Sequence, residues 1–337
     1  MLRVGIYGAS GYTGLELVRI LKRHPAMTIG FLTSENSAGQ TLADIFPVAW
    51  DDPLVSAEEA PLDEVDAVFM ALPHGASIPA VQRAYEAGVK VVDLSADFRL
   101  RDPQAYARWY KTEHTATDLL REAVYGLPEL HRNAIRQTRL VANPGCYPQT
   151  VILGLYPLVR HDLLSEDYAI ADAKSGVSGA GRKATLTTHF VEAHDNLSPY
   201  NIGHVHRHVP EMEQALSEVA CKPFTVTFTP HLLPVNTGIL TTLYVRLKQP
   251  LTSEQLNMVY RDTFADEPFM RVLPVGKLAT LRHAVGTNMV FFSTTAIDER
   301  GNAIIVVTED NLIRGASGVA VQNMNLMAGL DETLGLL

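Results

Sequence analysis

Cysteine is scarce in this chain, where only Cys146 and Cys221 occur among 337 residues. Two cysteines are too few for a disulfide framework, and a thiol that stays reactive needs a reducing compartment, so we expect a cytoplasmic protein. Basic residues are also in deficit, since 28 Lys and Arg against 37 Asp and Glu give a formal net charge of -9. Nucleic-acid binding usually needs a basic patch, so nucleic acid is not an expected partner.

Long apolar runs are absent as well. No stretch reaches the roughly 20 apolar residues of a membrane-spanning helix, and the opening MLRVGIYGAS lacks the features of a signal peptide. Repeats and low-complexity tracts are missing too. With 47% hydrophobic residues, the chain is expected to form about two domains. Its expected partners are small molecules, not membranes.

Short apolar runs alternate with helical patterns over the first half of the chain. The runs interpreted as strands are 3–7, 27–32, 67–72, 89–94 and 140–142, with a helix at 77–87. Near-continuous apolar strands separated by helices are typical of a parallel sheet covered on both faces. We therefore predict a Rossmann-type doubly wound α/β domain.

The pattern changes after residue 168 to longer segments rich in β-branched residues. These segments are 224–229, 239–247, 290–297 and 303–308, with a helical pattern at 253–264. They predict an α+β catalytic and oligomerisation domain with a mixed or antiparallel sheet. The tail after Gly315 is interpreted as a helix that packs back on the first domain. The predicted domains are thus 1–146 plus 313–337, and 147–312.

The segment GASGYTG lies between the first strand and the first helix. Glycines there permit a tight turn and let backbone N–H groups approach a pyrophosphate. The next strand ends in hydroxyl side chains instead of the acid that holds the ribose of NAD, and hydroxyls tolerate a 2′-phosphate, so NADP(H) is the expected cofactor. The predicted cofactor contacts are Gly8, Ser10, Gly11, Tyr12, Thr13, Gly14, Thr33 and Ser34.

Two further loops, LPHG at 72–75 and LSADFR at 94–99, follow parallel strands. Ligands of open sheets bind at such ends, so these loops are expected to flank the nicotinamide and the substrate. Pro73 and His74 are candidate cofactor contacts, with an ordinary loop residue as the alternative interpretation of His74. Arg99 is a candidate substrate contact.

Cys146 follows Asn-Pro-Gly and precedes a helical pattern. A thiol at a helix N-terminus is stabilised as thiolate by the exposed N–H groups and the helix dipole. Cys146 is therefore the predicted nucleophile, whereas Cys221 has no such context and is interpreted as structural.

Three histidines lie within five positions in GHVHRHVPE at 203–211. An imidazole can pair with a thiolate and move a proton on or off a reacting oxygen, so we choose His206 first and His208 second as acid or base. A zinc site is the alternative for alternating histidines. Without a paired cysteine motif it is not favoured, and no metal is predicted.

A second glycine-rich loop, KSGVSGAGRK at 174–183, carries cationic side chains and free backbone donors. Such a loop is typical of an anion site. Arg182 and Lys183 are predicted to hold a substrate phosphate or carboxylate, and Arg207 is a further candidate.

The motifs together identify a resemblance. GASGYTG, LPHG, DLSADFR, YGLPE, NPGCYP, SGVSGAGRK, HRHVPE and EDNLIRGASGVAVQNMN occur in order across nearly the whole chain. The chain resembles the N-acetyl-gamma-glutamyl-phosphate reductase family, related to aspartate-semialdehyde dehydrogenases. The resemblance implies NADPH, an N-acetylglutamyl phosphate substrate reduced through a cysteine thioester, a Rossmann domain completed by the C-terminal helix, and a homodimer or homotetramer. It adds Ser178, Gly179, Asn311 and Gly315 as cofactor contacts, and Ser175 and Glu211 as substrate contacts.

Two departures from the family pattern bear on specificity. Gln149 stands where Thr is expected after Pro148, and Thr237 stands where many members carry Arg. A reductase of another acyl phosphate, such as aspartyl phosphate or an aminoadipyl analogue, is the nearest alternative. A cysteine hydrolase and a non-catalytic NADP-binding sensor are alternatives of other classes.

Overall fold

The computed structural model describes the whole chain, Met1–Leu337. Its contacts divide the chain into two compact units, one formed by Met1–Pro144 with Ala316–Leu337 and the other by Gly145–Gly315. None of the helices is long and apolar enough to cross a membrane.

The first unit is built on a seven-stranded sheet. Its strands are β1 (Leu2–Tyr7), β2 (Met27–Thr33), β3 (Leu54–Val55), β4 (Ala67–Met70), β5 (Lys90–Asp93), β6 (Val124–Tyr125) and β7 (Leu140–Ala142). They are arranged in the order β3-β2-β1-β4-β5-β7-β6, and every neighbouring pair is parallel. The predicted doubly wound parallel sheet is confirmed.

Helices connect these parallel strands. They are α1 (Tyr12–Leu21), α2 (Leu42–Ile45), α3 (Ser77–Glu86), α4 (Pro103–Tyr110), α5 (Thr117–Glu122) and α6 (Pro128–Gln137). Of these helices, α2, α4, α5 and α6 were not predicted. Local signals start α4 nonetheless: the Asp102 side chain accepts a hydrogen bond from the Gln104 N–H, and Pro103 is the first helical residue.

The C-terminal helix (Gly318–Met327) also belongs to the first unit, and all ten of its residues are buried. The Asn323 side chain donates to the Gly126 carbonyl at 2.8 Å, and the Met327 carbonyl accepts from Lys90 at 2.7 Å. The helix begins three residues later than expected, because a π-helical turn at Ile313–Ser317 precedes it.

The second unit contains another seven-stranded sheet. Its strands are β8 (Tyr168–Gly176), β9 (Ser198–Pro199), β10 (Thr225–Leu233), β11 (Ile239–Arg246), β12 (Met270–Val272), β13 (Val290–Ala296) and β14 (Asn302–Glu309). The order is β12-β13-β14-β11-β8-β10-β9. Only β8 with β10 and β12 with β13 are parallel, so the predicted mixed sheet is confirmed.

The helices of the second unit are α7 (Cys146–Arg160), α8 (Phe190–Ala193), α9 (Val209–Ala220), α10 (Ser253–Thr263) and α11 (Leu281–Ala284). Burial alternates along β8: Ala169, Ala171 and Ala173 are buried, whereas Tyr168 and Ile170 are exposed. Alternation with period two means that one face of the sheet is covered and the other is open.

A buried carboxyl group lies at the end of β5 in the first unit. Asp93 is fully buried and accepts hydrogen bonds from Ser77 and Ser95 at 2.5 and 2.7 Å. Burial, opposed by these hydrogen bonds, raises the pKa of Asp93 from 3.8 to about 6. The charged form is therefore disfavoured in the folded state.

This shift predicts a pH dependence of stability. Since the pKa is higher in the folded state, the group favours folding below about pH 4, and this contribution is lost as pH rises from about 4 to about 6. Two pKa units correspond to about 3 kcal/mol. The Asp93→Asn variant should therefore lose less of its free energy of unfolding across that window than the wild type in urea titrations. A difference no larger than that of the exposed control Asp118→Asn would contradict this account.

Candidate active site

Cys146 is the first residue of α7, is half-buried and forms no disulfide. Gly145 precedes it in an extended conformation and has no side chain that could cap the helix. The partial positive charge of this helix end favours negative charge beside the thiol. This position agrees with the sequence prediction of a helix start at the cysteine.

Glu211 connects the cysteine turn to the histidine segment. Its carboxylate is 1% exposed and accepts a hydrogen bond from the Gly145 N–H at 2.7 Å. Because Glu211 lies in the first turn of α9, this bond joins the starts of α7 and α9. This carboxylate oxygen holds the backbone beside the nucleophile, and the substrate contact of Glu211 stays a prediction.

His206 is buried, and its ring centre lies 4.9 Å from that of His208. Its Nδ1 atom accepts a hydrogen bond from the His208 N–H at 3.1 Å, so the neutral ring carries its proton on Nε2. Burial, together with the positive charge of Arg207, lowers the pKa of His206 to about 4. The ring is neutral near pH 7, which disfavours the expected imidazolium–thiolate pair and favours donation from Nε2.

Two tyrosines that the sequence did not single out complete this cluster. The Tyr200 hydroxyl donates to the Tyr147 hydroxyl at 3.2 Å, and both rings contact the His206 ring edge to face. Burial raises the pKa of Tyr200 to about 12 and raises that of Tyr147 further, and negative charge on Cys146 contributes to both shifts. Both hydroxyls are therefore protonated donors. Tyr147 could have been predicted as a site residue because it follows Cys146 in the sequence. Tyr200 could not, because the pairing of β9 with β10 brings it close to Tyr147.

The chain approaches Cys146 a second time at Gly315. A Cβ atom on Gly315 would lie 2.8 Å from the Cys146 Cβ and 2.9 Å from Oε1 of the buried Glu309. The Gly315 N–H donates to the Asp310 carbonyl at 2.8 Å, which fixes this crossing. The absence of a side chain at Gly315 leaves space for the cysteine, and its role as a cofactor contact stays a prediction.

The side chain of Asn311 forms hydrogen bonds that hold the predicted anion loop in place. This buried amide accepts from the Gly238 N–H at 2.6 Å and donates to the Ser178 hydroxyl at 2.9 Å. Ser175 is buried under Gly179, where a Cβ would lie 2.9 Å from the Ser175 hydroxyl. Asn311 and Ser178 thus stabilise the loop, while the side chains of Arg182, Lys183 and Arg207 are exposed.

In the first unit, the glycine loop has the geometry of a phosphate cradle. Gly8 has φ +78°, and a Cβ there would lie 2.3 Å from the Ala71 carbonyl oxygen. A Cβ on Gly14 would lie 2.3 Å from the Gly8 carbonyl, whereas one on Gly11 would meet nothing nearer than 3.5 Å. Since α1 begins at Tyr12 without a side-chain cap, its first N–H groups face open space at Gly11. These residues fit a dinucleotide pyrophosphate.

The hydroxyl groups of Thr33 and Ser34 at the end of β2 form hydrogen bonds within the protein. Thr33 is 1% exposed and accepts from the Gly8 N–H at 3.2 Å, so it supports the cradle and the predicted direct contact is not favoured. Ser10 and Ser34 share a hydrogen bond of 2.7 Å beside it. The nearest acid, Glu35, accepts from the Ala57 N–H at 2.9 Å, so this carboxylate already has a backbone partner.

The other two predicted loops differ in exposure. Pro73 and His74 are exposed, as a ligand contact requires. Arg99 is 6% exposed, and its guanidinium donates to the backbone carbonyls of Asn143 and Leu94 at 2.7 and 2.8 Å. These bonds fix the backbone around Arg99, and its substrate contact stays a prediction. No group of three or more His, Cys, Asp and Glu side chains is arranged to hold a metal ion.

The close approach at Gly315 predicts the effect of adding one methyl group. In Gly315→Ala, the new Cβ displaces Cys146 from the first turn of α7, so alkylation of the thiol by iodoacetamide should slow at least severalfold. The free energy of unfolding should fall by about 1–3 kcal/mol through overpacking. Gly276→Ala is the control for the alkylation rate only, because a Cβ there meets no atom within 4 Å but the φ of +81° opposes alanine and affects the free energy of unfolding. Equal alkylation rates in both variants would contradict the account.

Two family models cover most of the chain. The model for the semialdehyde dehydrogenase NAD binding domain matches residues 3–138, and the model for the semialdehyde dehydrogenase dimerisation domain matches residues 146–311.

Solved structures show the same fold at low sequence identity. Aspartate semialdehyde dehydrogenase II of Vibrio cholerae has a TM-score of 0.75 and 21% identity, with 98% of each chain covered. Aspartate semialdehyde dehydrogenase of Candida albicans, solved with NADP, has a TM-score of 0.72 and 18% identity, covering 97% of this chain and 98% of that one. At these identities the likeness concerns the fold.

Full-length relatives are much more similar. N-acetyl-gamma-glutamyl-phosphate reductase of Pelotomaculum thermopropionicum is 48% identical over 99% of this chain and 97% of its own length. The protein of the same name from Moorella thermoacetica is 47% identical over 100% of this chain and 98% of its own. With both family models and full-length relatives at this level of identity, the chain belongs to the N-acetyl-gamma-glutamyl-phosphate reductase family.

Proposed function

We propose that this protein reduces N-acetyl-L-glutamyl 5-phosphate to N-acetyl-L-glutamate 5-semialdehyde and phosphate, with NADPH as the reductant, as a step of arginine biosynthesis. The observation that carries the proposal is Cys146 at the N-terminus of α7, beside the cluster of His206, Tyr147 and Tyr200. The first unit of the same chain carries a phosphate cradle at Gly8–Gly14.

The first chemical step is acyl transfer to the thiol. The Cys146 thiolate attacks the carbonyl carbon of the acyl phosphate, a C–S bond forms, and the C–O bond to phosphate breaks with departure of phosphate. The N–H groups of the first turn of α7 stabilise the thiolate and the developing oxyanion. The product of this step is a thioester on Cys146.

The second step reduces the thioester. NADPH, when bound at the cradle of the first unit, supplies the hydride that reduces the thioester carbonyl. The resulting oxyanion on the carbon attached to Cys146 collapses, the C–S bond breaks, and the aldehyde and the thiolate are released. Cys146 is thereby ready for another turnover.

The neutral Nε2–H of His206 suits donation to the carbonyl oxygen in both steps. A pKa of about 4 makes the ring a weak base near pH 7 and leaves its proton available as a hydrogen-bond donor. His208, next to it and half-buried, is the second candidate for moving the thiol proton. The hydroxyl protons of Tyr200 and Tyr147 are already donated to the Tyr147 hydroxyl and the His231 carbonyl, so these side chains position the His206 ring that they contact.

Anionic groups of the substrate require cations, and the exposed side chains of Arg182, Lys183 and Arg207 supply them in the second unit. Guanidinium groups hold phosphate or carboxylate through paired hydrogen bonds. For the cofactor, Ser34 follows β2, where the 2′-phosphate of NADP binds in Rossmann domains, and its hydroxyl shares a hydrogen bond with Ser10 of the glycine loop. Glu35 is held by the Ala57 N–H, which reduces its repulsion of that phosphate.

We further propose that the protein is a homodimer or homotetramer of the cytoplasm. The open face of the second sheet exposes Tyr168, Ile170 and Tyr244 at 38%, 38% and 42%. A second copy covering this face would bury these side chains, and residues 146–311 match a dimerisation-domain model. Both cysteines are free, and a reactive thiol of this kind persists in a reducing compartment.

The reaction is best tested in reverse, since acyl phosphates are labile. Phosphate-dependent reduction of NADP by N-acetylglutamate 5-semialdehyde should be rapid, and aspartate semialdehyde should be a poor substrate. Cys146→Ser should lose nearly all turnover and retain NADPH binding, while Cys221→Ser should match the wild type. If aspartate semialdehyde is preferred, the substrate assignment fails; if Cys146→Ser turns over normally, the nucleophile assignment fails.

The oligomer prediction concerns the open sheet face. A lysine in place of Tyr244 places a charge in the proposed contact, so Tyr244→Lys should shift the protein toward smaller species in size-exclusion chromatography with light scattering. Met258→Lys is the matched control, because Met258 is 60% exposed on α10. The same mass for Tyr244→Lys and the wild type at all concentrations would exclude this face as the interface.

A further inference from the structure

The turn Pro73–Ala76 connects β4 to α3 in the first unit, and all four residues are exposed. It lies beside the phosphate cradle, because Gly8 approaches the carbonyl of Ala71, two residues before the turn. Gly75 has φ +79°, which only glycine adopts without strain. An exposed turn with such a residue needs tertiary contacts to stay in one conformation.

Asp97 supplies the main contact. Its side chain is fully buried, and its two carboxylate oxygens lie 2.9 and 2.8 Å from the Gly75 nitrogen, whose N–H they share. The Tyr106 hydroxyl donates to the same carboxylate at 2.7 Å. A carboxylate without solvent is stable only when such donors reach it, so the turn and the carboxylate depend on each other.

Two further bonds join the turn to the same segment of chain. The His74 Nδ1 atom accepts from the Ala96 N–H at 3.1 Å, and the His74 ring packs edge to face on Tyr110 with centres 5.4 Å apart. Ser77, the residue after the turn, donates to Asp93. The turn is therefore bound on both sides of Gly75 to residues 93–97.

The bond to Nδ1 also fixes the chemistry of His74. With Nδ1 as acceptor, the neutral ring carries its proton on Nε2, and the His74 residue is exposed beside the cradle. A donor in this place suits the oxygen atoms of a dinucleotide, whose phosphates and ribose hydroxyls accept hydrogen bonds. Nothing else in the turn offers a side-chain donor.

We propose that Asp97 is a positioning residue for the dinucleotide, which holds the exposed Pro73–Ala76 turn in the conformation that meets the bound cofactor. The proposal rests on the proposed function, because it assumes that NADPH binds at the glycine cradle. Asp97 does not touch the cofactor itself. Its effect is on the fraction of molecules whose turn is in the binding conformation, and the apparent Kd rises as that fraction falls.

The test is NADPH binding measured by nucleotide fluorescence, independent of turnover. Asp97→Asn preserves the size of the side chain but removes its charge and one acceptor, so NADPH should bind about tenfold more weakly. Tyr106→Phe removes one donor to the carboxylate but keeps both oxygens on Gly75, so NADPH binding should weaken less than in Asp97→Asn. Hydrogen exchange of the peptide covering residues 72–78 should be faster in Asp97→Asn, while alkylation of Cys146 should be unchanged.

A second variant guards against failure of Asp97→Asn to fold. In Gly75→Ala, the added Cβ meets no atom within 4 Å, so only the positive φ is opposed. Gly88→Ala is its matched control, with φ +81°, the same open space and a position at the other end of α3. Gly75→Ala should weaken NADPH binding at least threefold, and Gly88→Ala should bind within twofold of the wild type.

The outcomes separate this proposal from the proposed function. If the wild type does not bind NADPH, the proposed function fails. If the wild type binds and folded Asp97→Asn binds within twofold of it, the positioning role of Asp97 is overturned. If Asp97→Asn does not fold, Gly75→Ala decides in its place. Weaker NADPH binding with faster exchange at residues 72–78 and unchanged Cys146 alkylation supports the proposal.

Discussion

The hydrogen bond from the Gly145 N–H to the Glu211 carboxylate is the contact on which the catalytic unit depends. It joins the first turn of α7, which carries the nucleophile, to the first turn of α9, which follows the histidines. Two helix N-termini, each with partial positive charge, meet at a carboxylate that is 1% exposed. Its placement stabilises that charge and fixes the cysteine relative to His206 and His208 at the same time.

Other segments of the second unit converge on the same point. The turn that ends at Gly315 crosses directly over Cys146, and Asn311 ties the preceding residues to the anion loop through Ser178. Tyr200 follows β9, the strand at the edge of the sheet. The nucleophile is thus surrounded by segments up to about 170 residues away in sequence, and few of its neighbours tolerate added volume.

The sequence predicted those features of the fold and of the site that depend on neighbouring residues in the chain. The glycine loop between strand and helix, the cysteine at a helix start and both sheet types follow from spacing over a few residues. The partners of buried polar groups did not follow, since they depend on tertiary contacts: Thr33 supports the cradle, Arg99 holds two carbonyls, and Asp97 holds the turn at Gly75. The low pKa of His206 likewise results from burial, which the residue pattern does not reveal.

The central claim is that the acyl group is carried by Cys146. The direct measurement is intact-protein and peptide mass spectrometry after brief mixing with N-acetylglutamyl phosphate without NADPH. The account predicts one N-acetylglutamyl group on Cys146, none in Cys146→Ser, and its loss as aldehyde when NADPH is added. Rapid reduction of the acyl phosphate without acyl enzyme on Cys146, or an acyl group on another residue, would contradict it.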